Sequence, residues 1–140
     1  MKQRYHQDQI IQYLPESTYF VFGSNLSGKN GAGAALTAQK YFGATPGQGW
    51  GISGKSFAFP TKDRNIQTLS LKQIEFYANA FIGLALKSMV LDVDCDFYMT
   101  RVGCGLAGYT DKDIAPLFIT LPNVIYPESW GPYLLKNLYF

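Results

Sequence analysis

Charge, cysteine and histidine are all scarce in this 140-residue chain. Charged side chains make up 16 % of it and balance to a net +2, a field too weak to argue for a nucleic-acid surface. Two cysteines, Cys95 and Cys104, cannot form a disulfide framework, so a reduced, cytoplasmic protein is expected. The one histidine, His6, sits in a polar N-terminal segment. That argues against histidine-based catalysis and against a zinc site, and no metal or organic cofactor is expected. No window of ~18 apolar residues occurs, so no membrane span and no membrane partner is expected. Met1 to Asp8 lack the apolar core of a signal peptide. Repeats and low-complexity tracts are absent.

Apolar and aromatic residues, by contrast, are plentiful. Hydrophobic residues reach 47 %, with ten Tyr and ten Phe, which excludes disorder and suits one domain over residues 1–140 with a substantial core.

One stretch organises the chain. The apolar run Thr18 to Gly23 reads as a strand buried on both faces, and Ser24 to Gly33 adds three more glycines. Ala34 to Phe42 then follows a helical pattern, with Gly43 as its stop. A helix start has backbone N–H groups without partners and partial positive charge, and glycines let a ligand approach them. The order strand, glycine loop, helix therefore suits a phosphate-bearing nucleotide.

Elsewhere the elements alternate. Gln7 to Leu14 fits a short helix ending before Pro15, and Thr45 to Gly54 reads as a loop. Trp50 inside that loop suits a hydrophobic plug better than a ligand-stacking ring. Ser56 to Phe59 is a short strand, followed by the polar turn Thr61 to Arg64. Ser70 and Gln73 form a capping box before a helix carrying Leu71, Ile74, Ala78, Phe81 and Ala85. Phe97 to Val102 is the third long strand, and Gly103 to Tyr109 a second glycine-rich loop. Thr110 caps another helix, with Asp111 and Asp113 in its first turn. Asn123 to Tyr126 is a last strand, and the aromatic tail Trp130 to Phe140 is expected to dock on the core. The pattern predicts a three-layer α/β/α fold with a mostly parallel sheet. Ligands in such sheets bind beyond the carboxyl ends of strands, where both glycine loops fall.

Two motifs imitate other chemistries. Gly49 to Ser56 matches the P-loop pattern literally, but a Pro/Gly-rich loop precedes it and a strand follows, whereas a P-loop follows a strand and opens a helix. Gly23 to Lys29 has similar spacing, with Asn30 in place of the Ser or Thr that binds magnesium. Met89 to Asp92 imitates the second NTPase motif. Gly31-Ala32-Gly33 lacks the third glycine of a dinucleotide fingerprint.

Taken together, Asn30-Gly31-Ala32-Gly33-Ala34-Ala35, Phe57-Ala58-Phe59-Pro60-Thr61-Lys62 and Arg101-Val102-Gly103-Cys104-Gly105-Leu106 resemble the macrodomain superfamily, which binds ADP-ribose and its derivatives. The second and third segments are closest to the branch that removes terminal ADP-ribose from proteins and DNA. The first loop, with Gly23-Ser24-Asn25, looks like that of small bacterial and phage macrodomain-like proteins. The resemblance spans Tyr19 to Tyr126. It implies a macrodomain-like fold with the central strand order 123–126, 97–102, 19–23, 56–59. It also implies ligand contacts at Gly23, Ser24, Asn25, Asn30, Gly31, Ala32, Gly33 and Ala34, and at Gly103, Cys104, Gly105, Leu106, Ala107, Gly108 and Tyr109. In the lysine-dependent branch a lysine attacks the anomeric carbon of the ribose, and Lys62 occupies the matching position. That branch places an acidic residue where this chain has Ala107. Its partners would be ADP-ribose or a related nucleotide, carried on protein or nucleic acid.

Three readings follow. They are nucleotide binding with Lys62-dependent hydrolysis, binding without turnover as a reader or sequestering protein, and a protein-interaction module whose loops are merely structural. The missing acid favours the second, and the aromatic tail is the best support for the third. Simpler roles compete at single residues. Asn25 could cap its own loop, Arg101 could pair with a carboxylate, and Cys104, with no histidine near it in sequence, fits a small buried side chain better than a nucleophile.

Overall fold

The computed structural model describes residues 2–138. Six strands form one sheet: β1 (Arg4–His6), β2 (Thr18–Asn25), β3 (Gly51–Ser53), β4 (Ser56–Lys62), β5 (Asp96–Met99) and β6 (Val124–Pro127). Their spatial order is β1-β6-β5-β2-β4-β3, parallel throughout except for β3, which pairs antiparallel with β4. The four central strands stand in the order the sequence implied. Three α-helices, α1 (Gly33–Tyr41), α2 (Leu71–Val90) and α3 (Asp111–Ile114), and two 3-10 turns at Ala115–Leu117 and Glu128–Trp130 complete the described residues.

Side-chain alternation on the strands sorts the residues into two cores. Phe20 and Phe22 of β2, Ala58 of β4 and Tyr98 of β5 pack with Ala35, Ala38 and Phe42 on the α1 side. Val21, Phe57, Phe59, Phe97 and Met99 point the other way, onto Ile74, Ala78, Phe81 and Ala85 of α2. The fold is thus a three-layer α/β/α sandwich. The α2 side holds most of the large rings, with Phe81 edge-on to Phe57 at 5.3 Å and to Phe97 at 5.0 Å. Trp130 is fully buried against Phe118 and Tyr126, so the start of the tail does dock on the core. Leu135 continues the contact by exchanging backbone hydrogen bonds with Phe118 and Thr120. Residues 139 and 140 of the expected tail lie outside the described residues.

Three segments depart from the sequence reading. Gln7 to Leu14 is not helical; the chain from β1 must cross β6 and β5 and run back to the start of β2. An eight-residue helix would cover only about 12 Å of that path and is marginal by itself. The expected strand over 97–102 stops at Met99. There Thr100 donates to the Val21 carbonyl from both its N–H and its hydroxyl, and Val102 turns back to bond the Thr100 carbonyl at 2.7 Å. The expected loop over 45–54 contains β3, which forms a hairpin with β4. Its turn packs Gly54 against Gly43, where a Cβ would stand 2.7 Å from the Gly43 carbonyl oxygen. This hairpin is why the P-loop-like spacing at Gly49 to Ser56 builds no phosphate loop. Trp50 beside it is a plug, edge-on to Phe57 at 5.1 Å and packed on Tyr77.

Candidate functional site

β2 and β5 are hydrogen-bonded neighbours, so the glycine loops that leave their carboxyl ends lie side by side. The backbones nearly touch: a Cβ on Gly23 would stand 3.7 Å from the amide nitrogen of Gly103. Both loops open on one cleft of about 990 Å³. Gly23, Ser24 and Asn25 form its floor on the β2 side. Gly31, Ala32, Gly33 and Ala34 rise from there into α1. Gly103, Cys104, Gly105, Leu106 and Ala107 form the opposite wall, and Lys62 flanks the cleft at the end of β4.

The walls carry unpaired backbone donors. No side chain caps α1, whose N-cap is Ala32. Its first internal bond runs from the Leu36 N–H to the Ala32 carbonyl, so the N–H groups of Gly33, Ala34 and Ala35 have no partner among the described residues. In the second loop Cys104, Gly108 and Tyr109 spend their N–H groups on Arg101, Gly105 and Gly103 carbonyls. The N–H groups of Gly105, Leu106 and Ala107 have no partner among the described residues. Ideal Cβ atoms on Gly31, Gly33 and Gly105 would meet nothing within 4 Å, so these glycines leave space rather than fill a packing gap.

Several polar side chains are already committed. Asn25 donates to the Lys29 carbonyl at 2.9 Å, and its own oxygen accepts from the Ser27 hydroxyl and the Lys29 N–H. It thus caps its own loop, the simpler of its two expected roles. The Ser24 hydroxyl donates to the Gly49 carbonyl. Arg101 makes a two-pronged pair with Asp111, at 2.8 and 3.1 Å, and its third nitrogen stands 3.7 Å from Asp8. Trp130 Nε1 donates to the same Asp111 carboxylate at 2.9 Å. Burial pushes the Asp111 carboxyl up, but the hydrogen bonds from Arg101 and Trp130 outweigh it and hold the group below its usual range. This cluster ties the second loop to α3 and the buried tail. Burial, reinforced by the nearby Asp111 charge, pushes the Cys104 thiol up to about 12. It therefore remains a thiol at neutral pH, as its reading as a packing residue requires.

Three expected contact residues stand elsewhere. Gly108 (φ +89) serves the turn of the second loop. The Tyr109 hydroxyl donates to the Leu69 carbonyl at 2.7 Å, with its ring packed on the α2-side core. Asn30 is 7 % exposed and does not line the cleft, although both its neighbours do. Neither the oxygen nor the nitrogen of its amide has a partner among the described residues. Leaving a buried polar group unsatisfied costs about 1–3 kcal/mol.

Lys62 makes no ion pair among the described residues. The expected acid position, Ala107, instead supplies its carbonyl to the Thr68 hydroxyl at 3.1 Å. Asp8 is the one carboxylate among the lining residues. It belongs to the irregular segment after β1, where the sequence pattern fits a short helix and offers no site residue. Ile66 was missed as well. This β-branched residue has φ +61 and lines the cleft, held there by the Asp63 carboxylate accepting the Asn65 and Gln67 N–H groups. A backbone this strained costs about 1–3 kcal/mol and occurs where the surroundings enforce it. The Asp-x-Asn-x-Gln spacing of that turn was the available signal. Among the described residues no helix is long and apolar enough to cross a membrane. Comparisons with protein-family models, curated proteins and solved structures returned no match to this chain.

Proposed function

We propose that the cleft binds ADP-ribose or a related nucleotide, with the diphosphate between the start of α1 and the loop Gly103–Ala107. The observation that carries this reading is the pair of unpaired N–H sets, on Gly33–Ala35 and on Gly105–Ala107, lining one cleft from two adjacent strands. A single helix start attracts any anion, whereas two sets of donors lining one cleft, each beside a glycine, suit two linked phosphates. The cleft is large enough for the sugar and base of such a ligand. The sequence resemblance names the ligand class, and the order of the central strands agrees with it.

Binding without turnover is the better supported form of this function. Lys62 lines the cleft as a nucleophile would, but cleavage of a glycosidic bond also needs a proton donor or acceptor near the leaving oxygen. Ala107 supplies none, and Asp8 is ion-paired toward Arg101. Thermal unfolding with ADP-ribose, ADP and NAD tests the binding. A ligand at about 100 times its Kd adds about 2.7 kcal/mol, or roughly 8 °C for a chain of this size. No shift with any of the three contradicts the proposal. ADP-ribosylated protein and DNA incubated with wild type and Lys62→Ala then separate a reader from a hydrolase. Release by wild type that Lys62→Ala abolishes would assign turnover to Lys62.

A further inference from the structure

Helix α2 carries apolar residues on two opposite faces. Ile74, Ala78, Phe81 and Ala85 face the sheet and are buried. On the far side run Phe76, Ala80, Gly83, Lys87 and Val90, spaced four, three, four and three residues apart, the spacing of a seam between paired helices. All five are exposed, Phe76 at 68 % and Val90 at 83 %. The helix has 20 residues, and only Lys72, Glu75 and Lys87 are charged. A solvated face normally carries more charge than this.

Gly83 lies in the middle of the stripe. Glycine weakens a helix interior, and nothing among the described residues requires it here, since an added Cβ would meet none of their atoms within 4 Å. An external backbone approaching at this point would require it. Phe76 and Val90 are both seven residues from Gly83, so the two large apolar ends of the stripe are equidistant from that glycine.

We propose that two copies of this chain pair through α2, antiparallel, with the two-fold axis at Gly83. In this arrangement residue n faces residue 166 − n of the second copy, as an isologous contact requires. Phe76 then packs on Val90, Asn79 faces Lys87, and the two Gly83 backbones meet. Charge fits as well. Lys72 is about 16 Å from Gly83 along the helix, about 6 Å past the point where the facing helix ends at Val90. That point is the connection Asp92 to Asp96, where a notch of about 440 Å³ is lined by Asp92, Asp94 and Asp96. The carboxyl end of the facing helix adds its own attraction for the lysine. Exposed Leu91 and Val93 beside the notch are covered in the same contact. Helix α2 packs on the sheet face opposite α1, so pairing leaves both clefts open.

Light scattering over a concentration series tests the pairing. Wild type should show the mass of two chains, and Gly83→Arg the mass of one with unchanged helical circular dichroism. Gly83→Cys should form a disulfide-linked pair on mild oxidation, whereas Lys112→Cys, exposed on α3, should not. Wild type running as a single chain overturns the proposal. So does a wild-type dimer that Gly83→Arg leaves intact, which would place the contact on another face.

Discussion

Helix α2 closes its own N-terminus and helix α1 leaves its own open. At α2 the Ser70 hydroxyl accepts the Gln73 N–H, and the Gln73 side chain accepts the Ser70 N–H. Thr110 and Asp113 repeat the arrangement at α3. At α1 the N-cap is Ala32, with the extended backbone of an N-cap (φ −154, ψ 164) but no side-chain oxygen to use it. All three helices have the same shortage of partners in their first turn. Two satisfy it within the chain, and the third leaves it unsatisfied among the described residues, at residues that line a cleft. This difference marks a site more firmly than the glycines do, because glycines elsewhere in this chain serve packing. Gly49 is one such case, where a Cβ would stand 2.5 Å from the Asn25 carbonyl oxygen.

The largest test of this contrast uses Gly31, where the backbone is ordinary and the space beside it empty. Gly31→Val should cost roughly 100-fold in nucleotide affinity, about 2.7 kcal/mol, by calorimetric titration. Its unfolding midpoint should stay near that of wild type. Gly33 is a poorer probe, since φ +57 would strain any replacement. Closing α1 in the manner of α2 is the next test. Ala32→Asp supplies the missing cap and should raise stability by about 1 kcal/mol. It should also weaken nucleotide binding about tenfold, because the new carboxylate takes the same N–H groups and repels phosphate. The converse change, Ser70→Ala, should lower stability by about 1 kcal/mol and leave affinity unchanged.

The smallest effect concerns the second wall. The Asp111 carboxyl titrates below its usual range in the folded chain, so its contribution is complete above the unfolded value near 3.9. It is lost as pH falls through the lower folded value. The difference in unfolding midpoint between wild type and Asp111→Asn should therefore be constant from about pH 7 to pH 5 and shrink below about pH 4. A gap that widens on acidification would show that Arg101 and Trp130 do not hold that carboxylate charged.

The central strand order came with the resemblance and not from any local pattern, whereas the layers were legible because they rest on local signals, apolar runs and the Ser70 capping box. Both loops were legible for the same reason, as glycine-rich segments at strand ends. Asp8 and Ile66 were not. Asp8 reaches the cleft through a segment whose path is set by where β1 joins the far edge of the sheet, a long-range pairing of three residues with no pattern of its own. Ile66 reaches it through a strained turn whose hydrogen bonds converge on Asp63. The commitment of Asn25 to its own loop and of Arg101 to a carboxylate was among the readings the sequence offered, but which carboxylate Arg101 pairs with was not legible. Asp111, ten residues after Arg101 in sequence, looked like a helix-start acid and is in fact the guanidinium's partner.

The most direct test of the central claim is an amide nitrogen–proton spectrum of the labelled protein titrated with ADP-ribose. Saturable shifts at the amides of Gly33, Ala34 and Ala35, together with those of Gly105, Leu106 and Ala107, are the result expected from a ligand held by both walls. Shifts confined to one set, or spread over residues outside the cleft, would contradict it.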